Sequence, residues 1–291
     1  MFNHTKIVSP VILLSIFSAL FTFAVFAAEK SRQSEVTTAE EVNWGYLNPL
    51  RGDQSPGAAD LWGDRTKYIA TGMLVRFKKG FSSPPHIHNI SYRGIVIKGA
   101  MHNDDPTAEH MWMPTASYWT QPAGENHITA ANDRSNMIYL EIDSGPYLVK
   151  PSDQHFDNGE RPVNIHTSNL IWLKSQDSSL IDGDNIQISY LWKKEASASL
   201  TNSTPLQGLM LKVTAGTKLT IDSESEEFRA VVIQGGSSYQ SAETTSVTNL
   251  NPGSYFSSTG QFTHQLITRE DTIFYIRSNG LFIARTLKRT R

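Results

Sequence analysis

Three histidines in this chain have the types and spacing to do chemistry. His86 and His88 close the run GFSSPPHIH, and His127 ends QPAGENH. Between them, ISYRGIVIKG reads as a β-strand that stops at Gly99. Residues at i and i+2 of a strand project from one face. Imidazole nitrogens must converge to about 2 Å from a shared ion to bind it, so that arrangement is the useful one. The Pro-x-Gly turn before His127 would bring the chain back toward the same point. The spacing therefore predicts a metal centre made of His86, His88 and His127. Parity carried on from His86 puts His88, Ile90 and Tyr92 on one face, so Tyr92 is expected to point inward as well.

These residues resemble the cupin superfamily. Its first motif runs Gly, five residues, His-x-His, three or four residues, Glu, six residues, Gly. Gly80, His86, His88 and Gly99 fall on that frame, with Tyr92 in the place of the glutamate. Pro122, Gly124 and His127 match the second motif, Pro-x-Gly-x-x-His. More narrowly, LNPLRGDQSP, LWGDR, HNDDP and WTQPAGENHITAA are similar to segments of an uncharacterised bacterial family of two-cupin proteins. The resemblance implies two tandem cupin domains, each a double-stranded β-helix or jelly-roll barrel, and an iron or zinc ion. It brings little function with it, because this fold hosts many chemistries.

Tyr92 leaves the fourth ligand position open. Phe228 at the equivalent place in the second half indicates that the ring alone suits the packing, so a polar contact is expected in preference to ligation. Glu125, between Gly124 and His127, is the nearest carboxylate in sequence and a candidate fourth ligand. Tyr92 and Glu125 are also the candidate proton donors or acceptors beside a metal. Arg93 lies on the opposite face and recurs as Arg229, so a structural role with a carboxylate partner is expected. His102, Asp104 and Asp105 follow Gly99 in an expected loop and are candidates to line the mouth. Arg51-Gly52-Asp53 spells an adhesion tripeptide, which coincidence explains in a chain this rich in turns. The flanking Asn48-Pro49 and Ser55-Pro56 predict an ordered loop there.

The elements that must position these residues are strands. Short apolar runs at 68–77, 92–97, 137–142, 187–192 and 272–276 are separated by Gly, Pro, Asn and Asp clusters, which argues for an all-β sandwich or barrel. The chain also repeats. Gly72, Gly80, Arg93, Val96, Ile97 and Gly99 match Gly208, Gly216, Arg229, Val232, Ile233 and Gly235 without a gap, an offset of 208 − 72 = 136. With one residue deleted, His127 finds its counterpart in His264. His86 and His88 map to Asp222 and Glu224, so the second copy is expected to be a degenerate scaffold. The organisation expected is a signal peptide at 1–27, a metal-binding cupin at 40–150, a polar linker at 151–164 and a degenerate cupin at 165–291.

The signal reading rests on Lys6, the apolar stretch from Val11 to Phe26, and small residues before a cleavage point at Ala28. Its removal leaves 264 of 291 residues and a net charge of 25 − 28 = −3. No basic face for nucleic acid is expected, nor any membrane contact once the signal is gone. The short Lys288, Arg289, Arg291 tail reads as solvated. The chain has no cysteine, so an exported fold must rest on its core and any metal on nitrogen and oxygen ligands. Three imidazoles suit a divalent transition metal. Zinc is the first choice for a chain metallated outside the cytoplasm, with iron, copper or manganese as alternatives. The expected location is periplasmic or secreted, and the expected partner is a small-molecule ligand or substrate. A second copy of the chain is a further candidate partner. Two function classes stand: a metal-dependent enzyme of oxygenase, isomerase or hydrolase type, and a non-catalytic binding or sensing cupin with a structural metal.

Overall fold

The apolar runs that look continuous in the sequence belong to strands covered on both faces. In the strand Tyr92–Lys98, Tyr92 and Val96 enter one core while Ile95 and Ile97 enter another. Thr71–Phe77 does the same, with Met73 and Val75 on one side and Leu74 on the other. A strand buried on both sides loses its apolar-polar alternation, which explains the unbroken IVI and MLV stretches. In this computed structural model the described residues are Met1, 33–132, 135–194, 205–243 and 245–287. Residues 2–27 of the expected signal peptide and the Lys288, Arg289, Arg291 tail lie outside them.

Residues 32–291 form one compact unit of nearly pure β-structure. A seven-stranded sheet takes seven of the strands between Gly45 and Ile165, with Tyr92–Lys98 and Asn136–Ile142 at its middle. A six-stranded sheet takes Phe228–Gln234, Thr272–Ser278, Leu206–Val213 and their neighbours. The two sheets pack back to back through Ile95, Ile97, Leu74 and Tyr139 on one side and Met210, Val231, Ile233 and Tyr275 on the other. Each also covers a barrel interior with its outer face. Over the C-terminal interior lies a second six-stranded sheet that includes Lys218–Ser223 and Phe262–Thr268. Over the N-terminal interior the covering layer is split into Ile128–Ala131, Ala100–Asp104 and Met113–Pro114 on one side and His86–His88 with Val149–Pro151 on the other.

The expected strands are present as Thr71–Phe77, Tyr92–Lys98, Asn136–Ile142, Ile186–Lys194 and Thr272–Ser278. The first starts three residues late, because Asp64 accepts hydrogen bonds from the Thr66 amide and hydroxyl and holds the preceding segment in a turn. The 136-residue offset also relates the ladders: Leu74 pairs with Tyr139 as Met210 pairs with Tyr275, and Gly72 with Glu141 as Gly208 with Arg277. Side chains repeat reciprocally across the junction. Arg93 stacks on Trp192 at 3.8 Å, and Arg229 stacks on Trp62 at 4.2 Å. Arg93 also pairs with Asp143 at 3.0 Å and Glu141 at 3.4 Å, the carboxylate partners its position called for.

One segment crosses between the halves as drawn from sequence, and the linker region stays with the N-terminal half. Gln33–Thr37 pairs with Tyr255–Thr259 in the C-terminal sheet. Val149–Pro151 and Val163–Ile165, which flank or end the expected linker, add strands to the N-terminal half, against His86–His88 and Tyr118–Gln121.

Candidate metal centre

The three histidines meet at the seam of the split layer. His86 and His127 face each other as an antiparallel bridge, each amide donating to the other's carbonyl at 3.0 Å. Directly opposed residues project to the same side, and the two rings lie 4.2 Å apart. His88, two residues along the strand, sits 5.0 Å from His86 and 5.2 Å from His127. Ile87 between them turns into the core and is fully buried. Gly124 completes the return turn at φ 78°; its amide donates to the His88 carbonyl at 2.9 Å, and a side chain there would strike the Phe156 carbonyl. The ligand nitrogens fall within 4.8 Å of one another.

Hydrogen bonds fix which nitrogens face inward. The Nδ1 atoms of His86 and His127 lie 3.0 Å from the Pro84 and Glu125 carbonyls, which can only accept, so each Nδ1 carries the proton and each Nε2 offers its lone pair. His88 stacks on Tyr147 at 4.5 Å with its Nε2 3.3 Å from the phenol oxygen, while its buried Nδ1 has no hydrogen-bond partner. Burial lowers the affinity of all three for protons, His88 most strongly, and His127 is pushed down to about 3. They are therefore neutral imidazoles at pH 7, the form that binds metal. A buried, neutral, converging nitrogen set with one orphaned atom fits a divalent transition metal.

Tyr92 points into the barrel as parity requires. Its hydroxyl donates to Asn103 Oδ1 at 3.0 Å and lies 3.5 Å from His127 Nε2. Burial raises its pKa well above the ordinary phenol value, so it stays protonated. Asn103 also accepts from Thr129 and donates to Gln121, and Gln121 donates to the same Glu125 carbonyl that holds His127. One polar chain thus links Tyr92 to the orientation of a histidine.

Other expectations are corrected. Glu125 serves through its backbone carbonyl; its half-exposed carboxylate joins neither the histidine cluster nor the cavity wall and instead lies within electrostatic reach of Arg161. The stretch Ala100–Asp104 is a strand, so Asn103 faces the site and its neighbours do not. His102 packs on His110 at 4.4 Å, Asp104 accepts from Asn164, and Asp105 caps the Thr107 turn. Asn103 was within reach of sequence reasoning through strand parity. Tyr147 carried no local signal.

The cavity in front of the histidines measures about 320 Å³ and is walled by Val75, Phe77, Phe81, Trp119, Ile138 and Leu140. The second barrel has no counterpart to this site among the described residues. Its His264 is held by the hydroxyls of Tyr239 at 2.9 Å and Ser258 at 3.0 Å, with Phe228, Phe256 and Phe262 around it. Asp222 and Glu224 do not face inward, because Ile221 and Ser223 take the inner positions; Asp222 pairs with Arg285 at 2.6 Å at the surface, and Glu224 is exposed. Replacing both, Asp222→Asn with Glu224→Gln, should leave the metal content of the protein unchanged and cost about 1 kcal/mol or less of stability. Elemental analysis and denaturant unfolding check this, and a lost metal would place a second site in this barrel.

Back-to-back β-sandwiches, one holding a His-x-His strand against the histidine of a Pro-x-Gly-x-x-His turn, define the cupin fold. The chain belongs to the family described as domain of unknown function DUF4437, whose model matches residues 35–284. No curated protein is significantly similar to it in sequence. Among solved structures it is similar to a protein of Nostoc punctiforme PCC 73102 provisionally named a dioxygenase (TM-score 0.62, 16% identity, 86% of this chain and 84% of that one). It is also similar to Bacillus subtilis oxalate decarboxylase, which has Mn(II) centres (TM-score 0.52, 9% identity, 87% and 79%). A third is quercetin 2,3-dioxygenase of Acinetobacter baumannii (TM-score 0.50, 15% identity, 86% and 79%). At these identities the likeness is one of fold.

Proposed function

We propose that this protein is an exported, metal-dependent enzyme whose three-histidine site in the N-terminal cupin acts on a small anionic molecule. One observation carries the reading: three neutral imidazoles converge, and two of them, His86 and His88, form part of the wall of a cavity large enough for a ligand, where a structural site would be closed by protein on all sides. His86, His88 and His127 would hold the ion, which supplies a Lewis acid able to polarise a substrate oxygen or acidify a bound water. Zinc is the favoured ion for a chain metallated outside the cytoplasm, with iron, copper and manganese as the alternatives. The enzyme names of the similar structures support catalysis over binding alone. On this reading residues 1–27 are a signal peptide, and two cupins, at 40–150 and 165–291, descend from one duplicated unit of which only the first works on substrate.

Tyr92 is the proton donor of this site. Its protonated hydroxyl is oriented by Asn103, and a neutral side chain there, in place of a carboxylate, leaves the full charge of a divalent ion to attract an anion. Tyr92→Phe should keep the metal while turnover falls about a hundredfold. Tyr92→Glu should tighten the metal and weaken anion binding. Release of metal by Tyr92→Phe would make the phenol a ligand and end the open-site argument. The reading as a whole is tested by elemental analysis of protein purified from its native compartment, followed by a substrate screen on the metallated form. A natively purified protein without a stoichiometric transition metal overturns it.

A further inference from the structure

The mouth of the cavity carries charge of one sign. Arg51 and Lys150 line it, and no aspartate or glutamate does. Arg51 belongs to a 3-10 segment, Pro49–Gln54, folded before any ligand arrives: Asn48 accepts from the Leu50 amide, the Asn48 amide donates to Ser55 Oγ at 2.9 Å, and the Leu47 amide donates to the Pro56 carbonyl at 2.8 Å. Within Arg51-Gly52-Asp53 the two charges part. Gly52, at φ 51° and ψ −130°, adopts a backbone turn that suits glycine. Asp53 is thereby taken up by Lys78 at 3.6 Å, on the other side of the loop, while Arg51 borders the cavity. The tripeptide is a device that removes the carboxylate from the mouth and leaves the guanidinium.

Behind this mouth the walls are aromatic and aliphatic, with Phe77, Phe81, Trp119 and Tyr147 among them. Such walls accept an uncharged, flat body, and a guanidinium fork matches a carboxylate in two-point geometry. A volume of about 320 Å³ is at the small end for ligand sites. We propose that the substrate is a small, flat apolar or aromatic carboxylate, its carboxylate recognised by Arg51 with Lys150 and its body laid along the aromatic walls toward the histidines. This rests on the reading of the three-histidine cavity as the place where the small molecule binds.

The test compares 2-naphthoate, 2-naphthalenemethanol and 2-naphthyl phosphate by calorimetric titration, on metal-free and on metal-loaded full-length protein. Wild type should prefer the carboxylate over the alcohol in both forms. Arg51→Gln should weaken naphthoate about fivefold, and Arg51→Gln with Lys150→Gln should abolish the preference of the metal-free protein. Alcohol binding and metal content should not change. A wild type without preference, a preference that survives the double variant in metal-free protein, or tighter binding of the phosphate than of the carboxylate overturns the proposal. Because the metal-free arm reads the mouth alone, a protein that fails to take up metal defeats the enzyme reading without touching this one.

Discussion

A His86→Ala, His88→Ala double variant should lose all of its transition metal, whereas wild type should carry one equivalent per chain. Two of three converging nitrogens disappear, and the remaining His127 offers a single Nε2. The described residues provide no substitute: no carboxylate joins the cluster, and His264 has both nitrogens engaged by hydroxyls. The variant should stay folded, since the strand His86–His88 is held by its backbone ladder to Val149–Pro151 and by Ile87 in the core. Inductively coupled plasma mass spectrometry with circular dichroism reads both outcomes. Two equivalents in wild type, or one retained in the folded variant, would sink the single-site reading. Acidity gives an independent check. Burial keeps the three histidines neutral at pH 7, with His127 protonating only near 3, so protons compete poorly near neutrality and metal should leave only in acid.

The part of this site that lies in short-range spacing was legible in the sequence. His-x-His on a strand and a histidine after Pro-x-Gly converge because strand parity and one turn suffice to bring them together. Tyr92 followed from the same parity, although a bend at Asn89-Ile90 separates its strand from that of His86. What failed was judgement of which way charged residues face. Glu125 sits next to a ligand position in sequence, and Asp222 and Glu224 fall on the offset places of His86 and His88, yet a charged side chain at an edge turns to water or to an arginine unless an ion holds it. What could not be read was tertiary. Tyr147 reaches His88 from the end of a different strand pair, and the loop at 48–56 reaches the cavity from a sheet edge. Neither leaves a periodic trace. The 136-residue repeat was legible, and it carries a consequence at the junction of the halves.

Removing Arg277 should destabilise the protein by about 3–5 kcal/mol, the cost of breaking a buried ion pair. The offset that relates the halves pairs Glu141 with Arg277, and those two residues meet at 3.5 Å with 1% and 3% of their side chains exposed. Identical residues at this place would bury two like charges in contact; a glutamate in one half and an arginine in the other convert that repulsion into an ion pair. Glu141 further accepts from Tyr139 at 3.0 Å and from Tyr275 at 2.7 Å, which are themselves offset mates. Asp143 bridges Arg93 and Arg277, and Glu227 bridges Arg229 and Arg277, so three acids face three arginines. Burial alone would raise the Asp143 pKa, but hydrogen bonds from Arg93 and Arg277 outweigh it and keep the carboxylate ionised. Arg277→Met leaves three acids to two arginines, with Glu141 paired only to Arg93 at 3.4 Å, whereas Glu141→Leu leaves Arg277 with Asp143 at 2.9 Å and Glu227 at 2.8 Å. Each single variant should lower the urea midpoint with an unchanged slope. The double variant should cost clearly less than the sum, because no buried charge is then left unpaired. Additive losses, or a loss below about 1 kcal/mol for Arg277→Met, would mean that the halves are held by the apolar contacts around Met210, Val231 and Leu74 and that the charges merely accompany them.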